Sequence, residues 1–235
     1  MKTILLIIIL SLSFSVQANF IGGIGYIQPG QYRVDNEINP LPLGTSIVPM
    51  IFYRGERLTV LGPNVSYALL KGMFSVSVNL TATGDRYETE SIEMRDTAIN
   101  GGVSLRIMFL TLNYGSDISN VYQGNTANIN IGWRFKISEN LFFSPSVGKE
   151  FLNQGFVNFY YGVSDKEASL GRFTSYKVGN AVNDNYRAGI TYVLNERNSF
   201  VVNYSYKVFD NVIFDSPTIN ERAYGTTSLF WNYKF

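Results

Sequence analysis

Phe74-Ser75-Val76-Ser77-Val78-Asn79-Leu80-Thr81-Ala82-Thr83 places an apolar side chain at every even position and a hydroxyl or amide at every odd one. Successive side chains of a strand point to opposite faces, so this stretch is a strand with one apolar and one polar side. Residues 127–137 repeat the pattern: Ala127, Ile129, Ile131, Trp133, Phe135 and Ile137 alternate with Asn128, Asn130, Gly132, Arg134 and Lys136. Residues 200–208 do so again, with Phe200, Val202, Tyr204, Tyr206 and Val208 opposite Val201, Asn203, Ser205 and Lys207. Segments of about ten residues with this dyad are the signature of transmembrane β-strands.

A soluble sandwich also alternates. Three further features favour a membrane barrel. Tyr, Phe and Trp crowd the strand ends, as interfacial girdles require. Tight and long connections alternate along the chain. The sequence also closes on Leu229, Trp231, Tyr233 and Phe235, alternate residues ending in a terminal phenylalanine. The Trp231, Tyr233, Phe235 ending resembles the signal by which the barrel assembly machinery recognises outer-membrane substrates.

Loop parity sets the strand number, because both termini should lie on the side of the tight turns. Tight turns fall near Arg54-Gly55-Glu56, Lys71-Gly72, 106–108, Ser138-Glu139-Asn140 and 195–198. Long connections fall near 28–44, 84–96, 118–125, 151–182 and 210–222. Residues 57–70 read as one strand would give an odd number; broken at Gly62-Pro63 they give twelve. We therefore expect an all-β, closed antiparallel transmembrane barrel of twelve strands, or ten if 57–70 leaves the wall. Twelve strands at a spacing of ~4.8 Å and a tilt of ~40° give a backbone radius on the order of 12 Å. Pro145 cannot donate to a ladder and a closed barrel has no free edge, so an irregularity is expected there.

The start of the chain reads as a secretory leader: Lys2, the apolar run Ile4 to Leu12, and Val16-Gln17-Ala18. Cleavage after Ala18 would leave 19–235 as a single domain with 18 basic and 18 acidic residues, formally neutral. Neutrality argues against nucleic acid as a partner. The run is too short to span a bilayer as a helix, and nothing after it approaches the roughly 20 apolar residues a membrane helix needs.

The chain has no cysteine and no histidine. A thiolate nucleophile, a Cys-ligated metal, a Ser-His triad and the commonest transition-metal ligand are thereby excluded. Outer-membrane lipases, palmitoyltransferases, deacylases and omptin-type proteases all lean on a histidine. We expect no enzyme, no cofactor and no metal.

Arg106, Arg134, Lys136 and Lys234 share the inward face near the periplasmic strand ends, and Arg54 and Arg57 sit at a turn on that side. Such a basic lumen floor would bind anions or an acidic partner surface, unless the cations pair with glutamates across the lumen. The 84–96 loop carries Asp85, Glu88, Glu90, Glu93 and Asp96 against Arg86 and Arg95. It lacks EF-hand spacing, which reads as a solvated loop rather than a Ca²⁺ site.

Tyr160-Tyr161-Gly162-Val163-Ser164-Asp165, in the long 151–182 connection, resembles the signature of the MipA/OmpV family of outer-membrane proteins. Asp215-Ser216-Pro217 resembles that family's Asp-Ser-Pro element, and Pro49 to Tyr53 its early proline-to-tyrosine strand. The two tyrosines would latch the long loop onto the mouth or form a ligand or partner surface. Gly162 would allow a tight bend, Ser164 and Asp165 would start a short helix through Ala168, and Asp215-Ser216-Pro217 would be a rigid turn.

The resemblance implies a barrel among outer-membrane lipid and lipopolysaccharide. It also implies a scaffold between a periplasmic lytic transglycosylase and a murein synthase. A porin-like solute channel and a surface adhesin that uses exposed loop aromatics are the alternatives. None of the family's partner-binding residues is carried over.

Overall fold

The computed structural model describes residues 19–35 and 46–235, so the leader segment 1–18 lies outside the described residues. The wall runs β1 (Asn19–Gln28), β2 (Ile47–Arg54), β3 (Leu58–Leu61), β4 (Asn64–Leu70), β5 (Phe74–Thr83), β6 (Ala98–Ile107) and β7 (Leu110–Asp117). It continues as β8 (Asn125–Gly132), β9 (Phe135–Lys136), β10 (Leu141–Leu152), β11 (Ala181–Val193), β12 (Asn198–Val208) and β13 (Ala223–Lys234). All neighbours are antiparallel, and β13 pairs with β1 from Ile21↔Lys234 to Gln28↔Thr227, closing the ring. β8 and β9 both pair with β10 and are two halves of one strand. The barrel thus has twelve strands, and the ten-strand alternative fails because both halves of 57–70 stay in the wall.

The turn that decides the count is Gly62-Pro63. Gly62 takes a φ of +54°, a left-handed conformation that glycine adopts without steric cost. Its N–H donates to Ile51 O at 3.2 Å, and Leu61 pairs with Asn64 across the turn. The expected irregularity at Pro145 appears on the facing strand. Residues 133 and 134 leave the ladder between β8 and β9 with no register shift, and Pro145 O accepts from Trp133 N at 3.1 Å.

The outer face carries Ile24, Ile51, Val78, Ile131, Ile190 and Val202, all exposed. Phe20, Phe74, Phe109, Trp133, Phe200 and Trp231 ring its periplasmic end. An isolated water-soluble protein would bury such a band; here it meets lipid. The alternate residues face a lumen in which Asn79, Ser104, Asn113 and Asn128 are joined by hydrogen bonds. No helix among the described residues is long and apolar enough to cross a membrane, so the strands do so.

Candidate functional site: a filled outer mouth above a basic chamber

The long connections fold together. Asn153 starts α1 (Gln154–Tyr161) by accepting from Phe156 N at 3.1 Å. Ser164 starts α2 (Asp165–Ala168), and Glu167 Oε2 in turn accepts from Ser164 N at 2.9 Å, a reciprocal capping box. Asp210 starts α3 (Asn211–Phe214). Phe156, Val157, Tyr160 and Tyr161 of α1 then meet Tyr32, Tyr122, Phe209 and Ile213 from three other connections in one buried cluster. Ala98, Leu152 and Ala181, at the outer ends of their strands, belong to the same cluster. The core of this cap therefore sits in the mouth of the barrel.

Arg33 is the polar centre of the cap and has no solvent exposure. Its guanidinium donates to Asp85 Oδ2 at 2.5 and 2.9 Å, to Thr218 Oγ1 at 3.0 Å and to Tyr160 O at 2.7 Å. The rings of Tyr87 and Tyr161 lie 4.4 and 4.7 Å from the guanidinium carbon. Burial alone would favour deprotonation, but Asp85 beside it more than offsets this and raises the Arg33 pKa. A second pair, Arg95 with Glu167 at 2.8 Å, ties the 84–96 loop to α2. Burial pushes the Glu167 carboxyl up, yet hydrogen bonds from Arg95 and Ser164 outweigh it and hold the group below the usual range.

Below the cap the lumen is polar. Tyr122 donates to Asn100 at 2.7 Å, and Glu150 accepts from Lys207 and Asn183, each at 2.9 Å. Beneath these lies a cavity of about 480 Å³ lined by Arg106, Arg134, Arg187, Asn130, Ser144 and Ser146. A second, of about 430 Å³, shares Asn113 and Asn128 with it.

Ser216 Oγ donates to Tyr161 O at 2.5 Å, joining the two motifs on which the family resemblance rested. The family described as MltA-interacting protein MipA matches residues 21–235. The chain belongs to the MipA family. Outer membrane protein YiaT of Escherichia coli strain K12 is 22% identical over 218 residues, covering 86% of this chain and 85% of its own. Among solved structures, the outer membrane channel DcaP of Acinetobacter baumannii is similar at a TM-score of 0.40, with 11% identity, 94% of this chain and 97% of the other covered. The CymD monoaromatic hydrocarbon channel is similar at 0.44, with 11% identity and coverage of 94% and 89%. This MipA-family member is an outer-membrane β-barrel.

In this MipA-family barrel the signature tyrosines Tyr160 and Tyr161 are buried, as is Val163. Gly162 ends α1 at φ −75° and ψ 163°. It is glycine because an added Cβ would lie 2.4 Å from Asn158 O. Ser164 and Asp165 begin α2 as expected, while Asp215 ends α3 and Ser216 is buried. Pro217 follows, leading into the buried Thr218 that holds Arg33. The exposed aromatics expected of an adhesin are instead the cap's core: Phe156, Phe173 and Phe209 are all buried.

The 84–96 loop is not the solvated loop expected, since Tyr87, Ile92 and Arg95 are buried and Asp85 is spent on Arg33. No cluster of three or more potential metal ligands occurs among the described residues. Of the basic floor, Arg106 and Arg134 line one cavity. Lys136 faces inward opposite Phe142, and Lys234, paired with Ile21, stands four strands round the ring. Trp231 and Tyr233 lie at the end of β13, and Phe235 follows it, its N donating to Phe20 O at 3.0 Å. These cations do not, among the described residues, pair with glutamates across the lumen. Among the described residues none of Arg106, Arg134, Lys136 and Lys234 has a salt bridge, and Arg134 lies 4.1 Å from the Phe142 ring.

Sequence reading missed Arg33 and Arg187. Nothing local marks Arg33, whose partners lie 52 to 185 positions away. Arg187 was within reach, because Asn183, Asn185 and Arg187 alternate as inward residues do.

Proposed function

We propose that this protein is a non-enzymatic scaffold of the outer membrane that works from its periplasmic side, holding murein-cleaving and murein-synthesising enzymes beneath the membrane. The observation that carries this reading is the asymmetry of the two ends. The outer mouth is filled by a packed cap, whereas the periplasmic end presents Arg54, Lys136 and Lys234 without acidic partners among the described residues. A basic rim suits an acidic surface on a periplasmic partner. The family's description as an MltA-interacting protein supports the same direction.

The test is capture from envelope extract with the purified barrel. Charge reversal at Arg54, Lys136 and Lys234 should abolish recovery of murein enzymes, and alteration of the exposed α2 residue Lys166 should not. Equal recovery by all variants, or none by the unaltered barrel, overturns it. The polar chambers favour a second reading, a small-solute channel. Steady conductance of the unaltered protein in planar bilayers would establish that reading instead.

A further inference from the structure

The lumen holds an arrangement that a scaffold has no need of. Arg106 on β6, Arg134 between β8 and β9, and Arg187 on β11 all line the same cavity of about 480 Å³. Strand register fixes how they stand. Arg106 pairs with Thr111, Thr111 with Asn130, and two residues beyond Asn130 Gly132 pairs with Ser146, which pairs with Arg187. Across the sheet each cation is thus two wall strands, or about 10 Å, from the next, and along it Arg134 lies four residues beyond the level of Arg106 and two beyond that of Arg187. The residues between them are small: Thr111, Gly132, Ser144 and Ser146. At Gly132 an added Cβ would come within 2.9 Å of Ser146 Cβ, so the floor admits nothing larger. Three long cations therefore surround a recess of short hydroxyl and backbone groups.

Charge balance points the same way. The carboxylate lining this cavity is Glu150, which already accepts from Lys207 and Asn183, each at 2.9 Å. Neither Arg106, Arg134 nor Arg187 has a salt bridge among the described residues. Glu150 also interacts with Arg187, but Lys207 already offsets its charge, so the cavity stays net positive and its like charges repel one another. The guanidinium fork matches a carboxylate with two parallel hydrogen bonds, which selects carboxylates over neutral solutes. Asn113, Asn128, Asn130 and Asn185 around the recess offer both donors and acceptors to hydroxyl groups. The cap fills the outer mouth, while the cavity reaches Met108 and Phe109 at the periplasmic turn between β6 and β7, so a ligand arrives from the periplasm.

We propose that Arg106, Arg134 and Arg187 form a binding site for a small hydrophilic polyanion bearing two or three carboxylates, reached from the periplasm. This stands apart from the scaffold reading: the site lies inside the wall, the partner surface on its rim. Failure of either leaves the other standing.

Calorimetric titration of the folded barrel in detergent with citrate tests it, with inorganic phosphate and glucose as comparison solutes. Citrate should bind at micromolar to low millimolar concentration, phosphate more weakly and glucose not at all; 0.5 M sodium chloride should weaken citrate at least tenfold. The combined variant R106Q/R134Q/R187Q should lose citrate binding by tenfold or more. K149Q, whose side chain lies on the outer face against Asp184, should bind as the unaltered chain does. Heat-modifiable gel migration checks that each variant is folded. Should the triple variant not fold, the three single variants decide, each expected to weaken citrate severalfold. Absence of citrate binding, glucose binding as tightly as citrate, or folded arginine variants that bind normally would each overturn the proposal.

Discussion

Replacing Arg33 by alanine tests whether the cap is held by its buried ion pair. The substitution removes the two bonds to Asp85, and those to Thr218 and Tyr160 O, from a site with no solvent exposure. Asp85 would keep Tyr32 OH at 2.9 Å and Tyr87 N at 3.3 Å, which leaves a largely covered carboxylate without its countercharge. Breaking a buried pair from one side costs about 3–5 kcal/mol. At about 1.4 kcal/mol per decade, the open fraction of the cap should rise a hundredfold to several thousandfold. Amide exchange across α1 measures this directly, and single-channel recording should show long openings that the unaltered barrel lacks. Adding Asp85→Asn to Arg33→Ala should recover part of the loss, because the stranded charge is then gone. A folded Arg33→Ala barrel whose α1 exchanges at the original rate, or one that Asp85→Asn does nothing to relieve, would refute the reasoning.

Ile131 and Asn130 are neighbours on opposite faces of β8, so they differ in surroundings and hardly in depth. Ile131→Arg places a charge in lipid, at a cost of ~2–4 kcal/mol at the midplane that falls toward the girdle, and should depress folding in bilayers, whereas Asn130→Arg should fold normally; equal folding of the two would remove β8 from the wall. Phe235 is mostly exposed and touches Phe20 and Tyr233 by its ring, so Phe235→Asp should lower outer-membrane levels in cells while leaving the melting of refolded protein nearly unchanged. Glu167 titrates in the cap below its usual value of 4.5, so the stability it contributes is present above that pH and is lost as pH falls through the lower folded value. Exchange at 163–176, corrected for intrinsic rate, should therefore accelerate below about pH 4.5 in the unaltered chain. In Glu167→Gln it should already be fast and pH-independent there.

The wall was legible because its information is local. Alternation in 74–83, 127–137 and 200–208 assigns faces one residue at a time, and turn chemistry at Gly62-Pro63 settles the count. Even Ser164, a capping residue three positions before Glu167, announces its helix within four residues. The cap was not legible, since its connections have no period and its bonds join loops far apart in the chain. Asp85 looks like one acid among many in a charged loop; only the fold brings Arg33 to it. Arg106 and Arg134 do line the lumen, but they are left without a glutamate because the carboxylate lining their cavity, Glu150, is held by Lys207 and Asn183.

The seam between β1 and β13 has a consequence for how the barrel is made. The other wall pairings join neighbours along the chain, but this one joins residues about 200 apart, from Ile21↔Lys234 to Gln28↔Thr227. Closing a flexible loop of that length costs ~5 kcal/mol in chain entropy before any contact rewards it. Hairpins can therefore zip early and separately, while the cylinder waits for the last strand to be delivered. Until then β12 and β1 stand as bare edges, open to any strand that reaches them first. Because Phe235 ends beside Phe20, the 19–235 chain could be joined across its termini and reopened at the Asn195–Asn198 turn. That permutant keeps every pairing yet makes the seam a hairpin, moving the slow step from β1–β13 to β11–β12.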